Sequence, residues 1–227
     1  GAMYPENAAK AVREYRADIG LSLDGDADRL VIIDEKGKVV DGDKLIATLA
    51  THLKEEGELR GDGVVTTVMS NMGLDEYLLK QNLKLHRSDV GDKNVVAMMQ
   101  AKGINFGGEQ SGHIVFSDYA KTGDGISSAL QALACLIKTD KEASEVFDPY
   151  RSYPQKLHNM HISEKREFAT IEGLDGLIQR VEAAGFRQLF RYSGTENKLR
   201  ILLEGKDELA LEKMMHECIE FFKKALV

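Results

Sequence analysis

The chain has 227 residues, 43% of them apolar, a formal net charge of −7 and a pI near 5.5. That is apolar material for one large or two modest cores, and an acidic balance with its 30 basic residues scattered excludes general affinity for nucleic acid or an anionic membrane. No apolar run reaches the ~20 residues that cross a bilayer and no secretory signal opens the chain, so the expectation is a soluble, cytoplasmic protein with a small-molecule partner. Cys135 and Cys218 each sit in a helical apolar pattern and read as reduced core thiols. Gly1-Ala2-Met3 reads as a cloning remnant.

In chain order, Ala8, Ala9, Val12 and Tyr15 recur at helical spacing between Pro5 and Arg16 and lead into a strand that ends at Asp24. Leu30 to Ile33 reads as a second strand, turned by Asp34-Glu35-Lys36-Gly37. One helix and two strands cannot cover both faces of a sheet, so residues 1–40 are expected to be the tail of a partial α/β domain. From there strands and helices alternate. A helix capped at Asp43 turns Leu45, Ile46, Leu49 and Leu53 inward, followed by a strand from Val64 to Val68 and a helix through Leu74, Tyr77 and Leu78. A strand from Lys84 to Arg87, a helix from Asp92 to Ala101, a short strand near Ile104, another from His113 to Phe116 and a helix from Asp124 to Lys138 complete residues 41–148. Such alternation predicts a mixed, mainly parallel sheet with helices on both faces. Asp148-Pro149 and Tyr153-Pro154 punctuate a boundary. Residues 149–227 read as a small α+β domain, with strands over 157–162, 187–191 and 199–204 and helices over 172–183 and 207–225.

Three loops carry chemistry. In Leu23-Asp24-Gly25-Asp26-Ala27-Asp28-Arg29 three carboxylates stand on alternate residues after an apolar strand and a guanidinium closes the run. Alternate side chains share a face of an extended backbone, so Asp24, Asp26 and Asp28 can gather hard oxygens round one small divalent cation, with Arg29 facing an anion beside it. A calcium EF-hand also places aspartates at loop positions one, three and five, but Arg29 stands where that loop turns on glycine and the flanks look like strands. An aspartyl phosphatase of the haloacid dehalogenase type would use Asp24 as nucleophile and Asp26 as acid/base, yet it favours Thr or Val at the place of Asp28. A solvated acidic turn is the remaining reading.

Gly107-Gly108-Glu109-Gln110-Ser111-Gly112-His113 sets glycines, which let a backbone come close, around groups that hydrogen bond a polyhydroxylated ligand: Glu109 accepts, and Ser111 donates or accepts. His113 is a general acid or base in one reading and a structural histidine at a strand start in the other; the loop as a whole also reads as a tight turn. Arg191-Tyr192-Ser193-Gly194-Thr195-Glu196-Asn197 offers a forked guanidinium, hydroxyls and free turn amides, which suit a phosphate; a plain polar hairpin is its alternative. The segments Val90-Gly91-Asp92-Lys93 and Lys121-Thr122-Gly123-Asp124-Gly125 add charges near strand ends, where α/β ligands gather, and read as helix caps more than as ligand contacts.

Taken together and in this order, the acidic loop, the Gly-Glu-Gln-Ser-Gly-His loop and the Arg-x-Ser-Gly-Thr loop resemble those of the α-D-phosphohexomutase superfamily. Val68-Met69-Ser70-Asn71, Val90-Gly91-Asp92 and Thr122-Gly123-Asp124-Gly125 are similar to its bacterial phosphoglucosamine mutase branch. The likeness runs from Tyr4 to the C-terminus and covers about the second half of a family member. It implies Mg²⁺ on Asp24, Asp26 and Asp28, and Arg29 against a phosphoserine. It also implies sugar hydroxyls on Glu109 and Ser111 with His113 beside them, and a phosphate on Arg191, Ser193, Gly194 and Thr195. The implied substrate is a phosphorylated amino sugar, glucosamine 6-phosphate converted to glucosamine 1-phosphate for cell-wall precursors, with no nucleic acid and no membrane as partner. Residues 1–40 would then be the end of a second domain, 41–148 a sugar-binding third and 149–227 a phosphate-binding fourth. Two features depart from the family pattern: Tyr192 stands where many relatives have proline, and no Ser-His-Asn-Pro loop is present. The chain is therefore expected to be inactive alone, and the partial domain to show association or disorder near residues 1–40. A mutase for mannose or glucose phosphates, or a non-catalytic sugar-phosphate binding module, are the competing expectations.

Overall fold

The computed structural model describes Ala2 and residues 4–227; Gly1 and Met3, two of the three residues read as a cloning remnant, lie outside the described residues. Contacts divide the chain into two compact units, Gly1–Arg151 and Ser152–Val227.

In the first unit, helix α1 (Glu6–Tyr15) turns Ala9 and Val12 onto Ile33 and ends at Arg16, which takes the left-handed conformation at φ 52°. Strands β1 (Ile19–Leu23) and β2 (Leu30–Asp34) pair antiparallel, with Leu23 opposite Leu30. Because strand side chains alternate, β2 is buried on both sides: Ile33 faces α1, while Leu30 and Ile32 enter the main core. The hairpin thus shares a core with the elements that follow it. Helix α2 (Gly42–Glu55) sends Leu45, Ile46, Leu49 and Leu53 into that core. Its cap is Asp41, whose carboxylate accepts from the Asp43 N–H (2.9 Å), and not Asp43 as the spacing suggested; Asp43 is fully buried in the first turn.

Strands β3 (Gly63–Thr67), β4 (Lys84–Ser88), β5 (Phe106–Gly108) and β6 (Ile114–Phe116) form one sheet in the order β4-β3-β5-β6. β3 runs parallel to β4 and β5, and β6 closes the sheet antiparallel to β5. Val64, Phe106, Ile114 and Phe116 face α2, α3 (Met72–Lys80) and α5 (Gly125–Ile137); Val65 and Val115 face Val95 and Met99 of α4 (Asp92–Lys102). Helices therefore cover both faces of a mainly parallel sheet. The strand expected near Ile104 forms two residues later. Ile104 packs under α4, and Gly107 pairs with Val65 at a spot where a Cβ would lie 2.6 Å from the Val65 oxygen and 2.9 Å from Met99 Sδ. One-turn helix α6 (Ala143–Val146) is too short to announce itself by periodicity.

In the second unit, β7 (Gln155–His161), β8 (Arg187–Tyr192) and β9 (Lys198–Glu204) pair antiparallel with β9 in the centre. Leu199, Ile201 and Leu203 point to one face, where α7 (Leu174–Ala183) and α8 (Glu208–Leu226) bury Leu177, Val181, Leu211, Cys218 and Phe222 against them. This is the expected α+β arrangement, with helices on one face of an antiparallel sheet. A 3-10 turn at Phe168–Thr170 was not expected. Both cysteines are buried and unpaired, and burial pushes the Cys135 thiol up to about 11 and the Cys218 thiol up to about 12.

Candidate active site

The turn between β1 and β2 brings three carboxylates together. Oxygens of Asp24, Asp26 and Asp28 all lie within 4.8 Å of one another, and among the described residues this is the one acidic, His or Cys cluster with such geometry. Ala27 adopts φ 60°, which curls the loop tightly enough to bring alternate aspartates together. The Arg29 N–H donates to Asp24 Oδ1 (3.1 Å), and Arg29 Nε lies 3.7 Å from Asp24 Oδ2 and 3.9 Å from Asp28 Oδ1. Burial and then the neighbouring Asp26 charge push the Asp28 carboxyl up, with His113 acting against them. For Asp24 burial also works against the charge, but the Arg29 N–H, the Asp28 side chain, its own N–H and the Arg29 guanidinium together hold the carboxyl below its usual range. Three converging hard-oxygen donors, one of them (Asp28 Oδ1) buried with no hydrogen-bond partner, fit a small divalent cation.

The Glu109 loop is seamed directly to this turn. Arg29 and His113 form an isolated antiparallel bridge, the Leu30 N–H donates to the Gly112 oxygen (3.0 Å), and His113 Nε2 lies 3.4 Å from Asp28 Oδ2. His113 is 3% exposed. The start of α5 closes over it: a Cβ at Gly123 would lie 2.5 Å from the imidazole, and the Gly125 N–H donates to the Ala27 oxygen (2.9 Å). Gly112 has φ +91°, and any Cβ there would collide with the Leu30 carbonyl. Glu109 Oε1 accepts from the Gly91 N–H (3.0 Å), which ties the loop after β5 to the loop after β4, while Ser111 is exposed at the tip. The loops after β4 and β5 leave the C-terminal ends of parallel strands, where α/β proteins place ligands.

In the second unit Arg191, next to last in β8, stands directly opposite Arg200 of β9. Burial, then the Arg200 charge, lowers the affinity of Arg191 for its proton. Ser193 is buried, its N–H donating to the Lys198 oxygen (2.9 Å) and its carbonyl accepting from Lys165 Nζ (2.6 Å); Gly194 and Thr195 are exposed in an open turn. Tyr192 lies flat on Phe168, with ring centroids 4.7 Å apart and planes within 1°. Guanidiniums on paired strands beside an exposed turn are groups whose chemistry suits an anion.

A family model described as phosphoglucomutase/phosphomannomutase, alpha/beta/alpha domain III, matches residues 41–153, and the C-terminal domain model of the same family matches residues 155–221. The chain belongs to the phosphoglucomutase/phosphomannomutase family. Its relatives include phosphoglucosamine mutases of Sulfurovum sp. (strain NBC37-1), 69% identical over the whole chain, and of Aliarcobacter butzleri (strain RM4018), 58% identical. The chain spans 51% of the length of each of these relatives. Among solved structures, a phosphoglucomutase/phosphomannomutase family protein from Burkholderia thailandensis superposes with a TM-score of 0.78 at 18% identity, covering 99% of this chain and 51% of that one. The Aspergillus fumigatus N-acetylphosphoglucosamine mutase, solved with GlcNAc-6P and magnesium, gives 0.72 at 23% identity over 88% of this chain and 51% of that one. These two likenesses carry the fold.

Within this phosphohexomutase fold the structure adds residues to those singled out from sequence. Arg200 enters through the β8–β9 register, a tertiary fact that spacing along the chain does not reveal. Lys165 arrives from a loop remote in sequence. Asp43 read only as a helix cap, and the fold shows the Asp41 and Asp43 carboxylates reaching different loops.

Proposed function

We propose that this chain carries the metal-holding, sugar-reading and phosphate-gripping parts of a phosphoglucosamine mutase. In the full-length enzyme, a phosphoserine gives its phosphoryl group to glucosamine 6-phosphate, and the bisphosphate returns its other phosphate to leave glucosamine 1-phosphate. The observation that carries the reading is the seam between Arg29 and His113, which holds a carboxylate cluster beside a Gly-Glu-Gln-Ser-Gly loop in a chain 69% identical to a phosphoglucosamine mutase.

Asp24, Asp26 and Asp28 would hold Mg²⁺. When bound, that ion supplies positive charge to a phosphoryl group in transfer, which needs electrostatic support and alignment more than covalent help from protein. Arg29 adds a guanidinium on the same side, its Nε already drawn to Asp24 and Asp28. His113, buried under Gly123 against Asp28, fits orientation of that carboxylate better than proton exchange with a sugar. Glu109 and Ser111 would accept and donate hydrogen bonds to sugar hydroxyls, the Gly91 N–H fixing one Glu109 oxygen and leaving the other available. Arg191, Ser193, Gly194 and Thr195, with Arg200, would clamp the phosphate that is not in transfer.

On this reading the nucleophilic serine lies in the half of the relatives' length that this chain does not match, so the 227 residues alone should give no turnover of glucosamine 6-phosphate in a coupled assay. Joined to that half, the protein should turn over glucosamine 6-phosphate in preference to mannose 6-phosphate and glucose 6-phosphate. Equal or inverted preference would move it to another branch of the family, and absence of turnover would leave a sugar-phosphate binding module.

A further inference from the structure

The start of α2 does more than begin a helix. Asp41 Oδ1 accepts from the Asp43 N–H (2.9 Å) and its Oδ2 accepts from Gln110 Nε2 (3.2 Å), so one carboxylate caps the helix and holds the Glu109 loop. Gly42 lies directly under the Gln110 carbonyl, where any Cβ would collide with the backbone. One residue on, Asp43 Oδ2 accepts from the Asn71 N–H (2.7 Å) across a buried contact. Asn71 caps α3, its side chain accepting from the Gly73 N–H (2.9 Å). From the other side Arg87 of β4 donates to the Ser70 oxygen (3.3 Å) and the Asn71 oxygen (3.5 Å) while pairing with Asp75 (2.8 Å). The turn that ends β3 is thus held by its amide and by its carbonyls.

The two loops so joined leave neighbouring parallel strands at the same sheet edge, Val65 of β3 pairing with Gly107 of β5. Nothing in the capping of α2 requires a buried carboxylate at its second position, and burying one is costly unless it is hydrogen bonded. We propose that Asp41-Gly42-Asp43 is a positioning unit that registers the Ser70-Asn71 turn against the Glu109-Gln110-Ser111 loop, with Asp43 as its buried anchor. The consequence for substrate rests on the sugar-reading role assigned above to Glu109 and Ser111; the coupling of the two loops does not.

Burial, reinforced by Asp41, pushes the Asp43 carboxyl from 3.8 up to about 7, with the Asn71 N–H, the Ser70 hydroxyl and Arg87 acting against that rise. The coupling should therefore be readable by titration near neutral pH. The test is amide NMR on the 227-residue chain, wild type against Asp43→Asn, from pH 5 to 8. Asp43→Asn keeps the shape and one acceptor but abolishes the charge. In the wild type the Asn71 amide and the amides of residues 109–112 should shift with one shared midpoint. In Asp43→Asn that shared titration should vanish, and hydrogen exchange should quicken at both loops by about tenfold or more while the second unit is unaltered. Gln110→Ala cuts the link from the far end without touching the buried acid, so it decides the matter should Asp43→Asn not fold; it should speed exchange at Asn71 as well as in its own loop. Response confined to residues 69–73 in Asp43→Asn, or to residues 109–112 in Gln110→Ala, would overturn the coupling and leave Asp43 a local cap.

Added glucosamine 6-phosphate reports separately: weaker shifts at Glu109 and Ser111 in Asp43→Asn extend the coupling to substrate. No shifts in the wild type would count against the sugar-reading role alone, the ligand-free exchange data still deciding the coupling.

Discussion

Single residues in this protein act through the space they leave. Gly112 combines a left-handed φ of +91° with a carbonyl where a Cβ would go, so Gly112→Ala strains the backbone and forces apart the seam between the acidic loop and the Glu109 loop. The expected cost is roughly 1–3 kcal/mol, read by calorimetry as a lower melting temperature for the first unit with the second unit unchanged. At the acidic loop, Mg²⁺ added to the chain should bind only weakly, with an affinity of roughly millimolar, because three aspartates lack the phosphate oxygen that would complete the ligand set. Asp26→Asn should weaken it further, as seen in the amide shifts of residues 24–29. In the second unit, the facing pair Arg191 and Arg200 predicts that inorganic phosphate binds there and that Arg191→Ala lowers its affinity about tenfold or more, one lost charge-assisted pair.

At the scale of elements, α2 gives a pH prediction with a definite sign. The Asp43 carboxyl is raised in the folded state, from 3.8 to about 7, so the folded chain holds its proton more tightly than the unfolded chain. Its contribution to stability is therefore complete below about pH 4 and is lost as pH rises through about 7, by roughly a few kcal/mol in all. Urea denaturation at several pH values should show a decline over that window which Asp43→Asn flattens. Elements were legible in the sequence where a period ran long enough. The helices of α2, α5 and α8 and the strands of β3 and β9 carry unbroken apolar registers, and their places follow from those registers. α6 and the 3-10 turn at Phe168 are shorter than any period. β5 was displaced because two glycines look like loop while their lack of a Cβ is what admits them beside Val65 and Met99. The loops of the candidate site stood out one by one, since each motif carries groups of a distinct chemistry. Its wiring was not: the bridge of Arg29 to His113, the partnership of Arg191 with Arg200 and the two carboxylates of Asp41 and Asp43 exist only once strands are registered.

At the scale of the whole molecule, separate cores built round Leu45, Leu49, Leu74 and Phe106 and round Leu177, Leu211 and Phe222 predict two unfolding steps. A core substitution such as Phe222→Ala should lower one step by about 3–5 kcal/mol and spare the other. The acidic hairpin is part of the first core and should melt with it. No helix among the described residues is long and apolar enough to cross a membrane.

The seam of Arg29 with His113 has a mechanical meaning. Two peptide segments are stitched by backbone, and Gly112 and Gly123 let them pack against Leu30 and His113 with no room for a side chain between. Any motion that carries Asp24, Asp26 and Asp28 must therefore carry Glu109 and Ser111 with it, and a hinge that separates the two loops has no place between them.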